Sequence, residues 1–134
     1  MTPGQIALLV GVLLVMDAFI VSAVVASCAM LFNDLGKGLP RVAPEAGAER
    51  RQFQSIKIGM FNMGGSVHLT LDSRYVHFDP IWIMRKGGAK GFSVPRELIA
   101  ERPDRPSKPG ARHVRAIINA QEATVPSWIV RVGD

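Results

Sequence analysis

Residues 6–32, IALLVGVLLVMDAFIVSAVVASCAMLF, form one apolar run with a single ionisable group, Asp17. At about 1.5 Å of rise per residue the run makes a helix roughly 40 Å long, against a bilayer hydrocarbon core of about 30 Å. It is long enough to cross with tilt, or with Phe32 resting at the interface. The sequence is therefore read as that of a single-pass membrane protein: residues 1–32 a transmembrane helix with a short N-terminal tail, 33–52 a flexible linker, and 53–134 a small β-rich domain.

The flanks separate an anchor from a cleaved signal. A signal peptide needs a basic start and an apolar stretch of about 7–15 residues. MTPGQ carries no Lys or Arg, and the run is longer. Val25-Ala26-Ser27-Cys28 resembles the lipobox of bacterial lipoproteins, which offers an alternative in which Cys28 is the lipid-anchored residue. The uncleaved anchor is favoured. On its C-terminal side lie Lys37, Arg41, Arg50 and Arg51. The positive-inside rule then predicts an external N-terminus and a cytoplasmic C-terminal domain.

Two features of the run point to helix partners. An Asp at mid-span costs roughly 2.5–3.5 kcal/mol on insertion scales, so Asp17 needs a partner or a proton. Ala18, Ser22 and Ala26 recur every four residues, and Gly11 falls on nearly the same face. Such a seam of small residues lets a second helix approach closely. Expected partners are other transmembrane helices, or a second copy of the chain.

All 16 basic residues and ten of the eleven acidic ones follow Asn33, giving that part a formal charge of +6. This suits an anionic lipid surface, and it also suits ordinary solubility. The basic residues are scattered rather than gathered in a stripe, which argues against nucleic acid. Cys28 is the only cysteine, so no intrachain disulfide is possible.

Beyond the linker the pattern is β. Residues 53–61 alternate, and Asn62-Met63-Gly64-Gly65 carries a turn signal. Val67–Leu71 and Val76–Phe78 predict a hairpin in which Leu71 opposes Val76 and Leu69 opposes Phe78, since only that register keeps one face apolar. It places His68, His77 and Asp79 on the polar face. Two His and a carboxylate are possible metal ligands, but a solvated strand face is the stronger reading, and no metal or other cofactor is expected. Ile81-Trp82-Ile83-Met84, followed by Arg85, Lys86 and Lys90, reads as a buried element with a Gly-Gly loop, or as a segment dipping into the headgroups with Trp82 as anchor. Trp82, Arg85, Lys86 and Lys90 are thus candidate contacts for a membrane surface or a partner. A strand and turn at Pro95, an exposed loop over 101–112, and two last strands over 113–119 and 123–132 with a turn at 120–122 complete the reading.

The stretch SVHLTLDSRYVHFDP, the Gly-containing basic loop and FSVPRELI resemble pleckstrin-homology-like and GRAM-like domains, through Leu69-Thr70, Tyr75 to Phe78 and Val94-Pro95. They are similar, too, to small bacterial membrane proteins carrying such a β-domain. The resemblance implies a curved antiparallel sheet of about six strands. Together these readings predict a non-catalytic accessory or scaffold subunit of a membrane complex. The alternative is a membrane-tethered module binding anionic lipid or a peptide. An enzyme is disfavoured by the lack of HExxH or nucleophile motifs.

Overall fold

The computed structural model describes residues 1–131; Val132, the end of the expected last strand, lies outside them. One long helix, α1 (Pro3–Leu35), leads into a β-domain of seven strands. Thr2 caps α1 through a capping box: its Oγ1 accepts from Gln5 N at 3.2 Å, and Gln5 Oε1 accepts from Thr2 N at 3.0 Å. The helix is apolar all round, as a lipid-facing helix is. Ser22 and Ser27 return their hydroxyls to Ala18 O and Ala23 O, both at 2.8 Å, so neither needs water.

The strands are β1 (Glu49–Ile58), β2 (Phe61–Leu71), β3 (Tyr75–Pro80), β4 (Phe92–Pro95), β5 (Ile99–Glu101), β6 (His113–Ile118) and β7 (Gln121–Pro126). A short helix, α2 (Trp82–Lys86), lies between β3 and β4. The sheet order is β4-β3-β2-β1-β7-β6-β5, with every pairing antiparallel. Its two edge strands, β4 and β5, are joined by only a turn of 3₁₀ helix at Arg96–Leu98. Laid flat, seven strands would separate the edges by about 29 Å, yet Pro95 and Ile99 are four Cα steps apart, at most about 15 Å. The sheet is therefore rolled into a nearly closed barrel.

The β2–β3 register is the one the apolar pattern predicts: Leu71 opposes Val76, Leu69 opposes Phe78, His68 opposes Asp79 and Thr70 opposes His77. Val67, Leu69, Val76, Phe78, Val94, Val114, Ile118 and Val125 fill the interior. The strand count is seven rather than about six, because the three residues of β5 pair with β6.

The first hairpin turns earlier than its composition predicts. Gly59, at φ 59°, and Met60 make the turn. Asn62–Gly65 belongs to β2, where Gly64-Gly65-Ser66 bulges opposite Ser55. Gly65 takes φ 64° there and donates its N–H to Ser55 Oγ at 3.0 Å. The last hairpin turns at Asn119-Ala120 rather than at 120–122, both residues having positive φ. Alpha-helix and β-sheet also reach further than expected: α1 continues past residue 32 to Leu35, and β1 starts at Glu49 rather than near Phe53.

The segment between them is tied down. Pro40 O accepts from Ser93 N on the free edge of β4 at 3.3 Å, and Val42 N donates to Ser93 Oγ at 2.8 Å. Arg41 forms a two-pronged pair with Asp79, at 2.8 and 3.0 Å. Residues 39–45 thus lie as a strap across the outer face of β3 and β4.

Candidate functional site

The apolar run divides into two parts. From Pro3 to Val24 the helix is exposed throughout, whereas Ala29, Phe32 and Leu35 are buried in the β-domain and Val25 and Cys28 half-buried against it. The exposed part is about 22 residues, or roughly 33 Å, close to the hydrocarbon thickness of a bilayer. Phe32 therefore does not rest at an interface. Its ring packs on Phe92 at 4.9 Å, and Phe92 stacks on Phe78 at 4.8 Å.

The junction is built by side chains and close backbone approach. A Cβ on Gly36 would stand 2.3 Å from the Phe92 ring, so only glycine allows the chain to pass there. The Asn33 amide bridges the loop after α2, donating to Gly88 O and accepting from Lys90 N, both at 2.9 Å. The last carbonyls of α1, orphaned at any helix end, are met from the β6–β7 hairpin. Asn119 Nδ2 donates to Leu35 O at 3.2 Å and to Lys37 O at 2.9 Å, and Gln121 Nε2 donates to Asp34 O at 2.7 Å. Helix and barrel form one piece.

Gly11, Asp17, Ala18 and Ser22 are exposed on the membrane-length part, and Ala26, two residues past it, is exposed too. Gly11, Ala18, Val25 and Phe32 lie seven residues apart, a stripe that drifts only about 20° per step. Its lower members touch the domain, so Gly11 and Ala18 point to the side on which the barrel sits.

On that side α2 packs against α1. A Cβ on Gly87, just after α2, would stand 2.7 Å from Val25 Cγ1. Met84 faces inward and is buried, while Trp82 is 67 % and Ile83 37 % exposed. Lys86 Nζ sits 5.2 Å from the centre of the Trp82 ring. Arg85 Nε donates to Pro80 O at 3.0 Å. The segment expected as a possible surface contact is thus placed beside the end of the exposed span.

The trio His68, His77 and Asp79 does not assemble. His68 Nδ1 accepts from Phe53 N at 3.1 Å, Asp79 is held by Arg41, and His77 turns to other partners. Among the described residues no three His, Cys, Asp or Glu side chains gather as a metal ligand set. Nor is the polar face of β3 solvated: His77 and Ser93 are fully buried beneath the strap.

That burial reveals a network missed in the sequence. His77 Nε2 meets Asp72 Oδ2 at 2.6 Å, and His77 Nδ1 meets Ser93 Oγ at 2.7 Å. Asp72 also accepts from Arg74 N at 2.8 Å and Tyr75 N at 2.6 Å, and Glu45 N approaches at 3.4 Å. Burial pushes the Asp72 carboxyl upward, but the His77 bond and these backbone N–H groups outweigh it and hold the group well below the ordinary carboxylate range. The order Asp–His–Ser is that of a hydrolase triad. Here, however, Ser93 Oγ is closed off by Val42, and the row of bonds fastens the strap to the sheet. The missing signal was the His77–Ser93 pairing of β3 with β4.

Compared with protein-family models, with curated proteins and with solved structures, the chain matches none.

Proposed function

We propose that this chain is a non-catalytic, single-pass membrane subunit that docks through its helix onto other transmembrane helices and presents the barrel at the cytoplasmic surface. One observation carries the reading. A helix segment of membrane length, with Asp17 exposed and a small-residue face beside it, is fixed rigidly to a folded domain. A lone carboxyl facing lipid is costly, by roughly 2.5–3.5 kcal/mol at mid-span, and contact with a polar group on another helix removes that cost. Gly11, Ala18, Ser22 and Ala26 give such a helix room to approach. The cytoplasmic placement rests on Lys37, Arg41, Arg50 and Arg51 beyond the span.

The test is extraction of the tagged chain from native membranes in mild detergent. The expected result is a defined assembly that Ala18→Leu and Asp17→Leu each weaken while the barrel stays folded. A monomer unaffected by both substitutions overturns the reading.

A further inference from the structure

We propose that α2 and the loop after it form a headgroup-binding platform, with Trp82 and Ile83 entering the membrane interface and Arg85, Lys86 and Lys90 facing anionic lipid. The inference rests on α1 spanning the bilayer, and adds to the proposed docking role a second, lipid partner for the barrel.

Three observations meet at this place. The exposed span ends near Val24, and about 33 Å of helix from Pro3 brings the far edge of the hydrocarbon to that level. Gly87 approaches Val25 itself, so α2 stands at the boundary rather than deep in the aqueous phase. Trp82, the most exposed aromatic side chain of the barrel, lies on the side of α2 opposite buried Met84. Trp is the side chain that favours the headgroup level, since its ring is apolar and its N–H needs a polar partner.

The charge agrees. From Ile81 to Phe92 the chain reads IWIMRKGGAKGF, with three basic residues and no acid. The acid just before it, Asp79, is already neutralised by Arg41. Lys86 lies over the Trp82 ring, so cation and aromatic face occupy one spot. An anionic headgroup meets both at once, with the ring below and the ammonium beside the phosphate. The Asn33 amide holds the Gly88 and Lys90 backbone to α1, which fixes the platform at one depth.

Trp82 and Trp128 are the two tryptophans, so Trp128→Phe leaves Trp82 as the sole reporter and Trp82→Phe leaves Trp128. Each full-length variant is reconstituted into phosphatidylcholine vesicles, with or without phosphatidylglycerol, whose acyl chains carry bromine close to the headgroup. Integration is checked by resistance to alkaline extraction. The expected result is strong quenching of Trp82, greater with phosphatidylglycerol, and little quenching of Trp128. Three basic residues near an anionic surface favour the docked platform by about 100-fold. Replacing Arg85, Lys86 and Lys90 together by Gln should therefore abolish the phosphatidylglycerol dependence. If the chain is integrated but Trp82 is quenched no more than Trp128, the platform is refuted and the spanning helix stands. If quenching is equal in both lipids, the anionic preference is refuted. If alkali extracts the chain, the spanning reading falls and the platform with it.

Discussion

Replacing Phe32 by Ala tests whether the end of α1 belongs to the barrel. Phe32 is 1 % exposed and sits on Phe92, which in turn stacks on Phe78. Truncating a buried Phe costs about 3–5 kcal/mol, the transfer term plus the cavity left behind. Collapse into that space is restricted, because Phe92 is already held between the close approach of Gly36 and the stacked ring of Phe78. For a domain of this size each kcal/mol moves the melting temperature by about 4–8 °C, so a drop of at least about 12 °C is expected. The assay is thermal unfolding of the full chain in detergent, in a Trp82→Phe background, followed by the fluorescence of Trp128, whose Nε1 is bonded to Gln54 Oε1 at 3.2 Å within the barrel. Phe19→Ala, on the same helix but 76 % exposed, is the control and should leave the barrel transition unchanged. A Phe32→Ala shift below about 3 °C, well short of one core-sized contribution, would refute the claim that α1 completes the core.

Two further outcomes follow from the hydrogen-bond geometry. Asp72 is held well below its ordinary value of 3.8, so its contribution to stability is complete above that value and falls away as the pH drops below about 4, where the unfolded chain takes up a proton that the folded one does not. Asp72→Asn should lose about 1.5–3 kcal/mol at neutral pH and flatten the acid limb of a melting-temperature profile taken from pH 7 to pH 3; an unchanged acid limb counts against the network. Ala120 holds φ 63° in the β6–β7 turn, a conformation that favours glycine. Ala120→Gly should stabilise the barrel by about 1 kcal/mol, seen as a rise in melting temperature, and a fall would show that the turn is not the one described.

The legible parts of the fold were those with a strict period. The β2–β3 register followed from Leu69, Leu71, Val76 and Phe78, because a slip of one residue turns one strand's apolar pair to the opposite face. Composition misled where one residue type serves two purposes: Gly64-Gly65 has the look of a turn but makes a bulge, while a single Gly59 with Met60 makes the turn. His77 and Ser93 alternate with the apolar positions and so read as a wet face. What covers them is a strap beginning some thirty residues upstream, and its Gly- and Pro-rich sequence has no period to announce a sheet beneath it. The Asp72–His77–Ser93 row needed the β3–β4 pairing as well as the strap, and neither is written in local spacing.

The division of α1 was hidden for a different reason. Lipid tails and a barrel interior are equally apolar, so Val12 and Phe32 look alike in sequence although one is exposed and the other buried. Only length gave a hint: the run is about 10 Å longer than a bilayer needs, and the excess is the part the barrel takes up. That division has a consequence for the proposed docking. Because seven residues bring the helix back to nearly the same bearing, a helix packed on Gly11 and Ala18 meets the side of α1 that carries Val25 lower down. With Asn33, Asn119 and Gln121 locking the last turn of α1 to two separate hairpin loops, the barrel cannot swivel independently of that contact. Under the proposed docking, the partner met inside the membrane would set which face of the barrel looks outward.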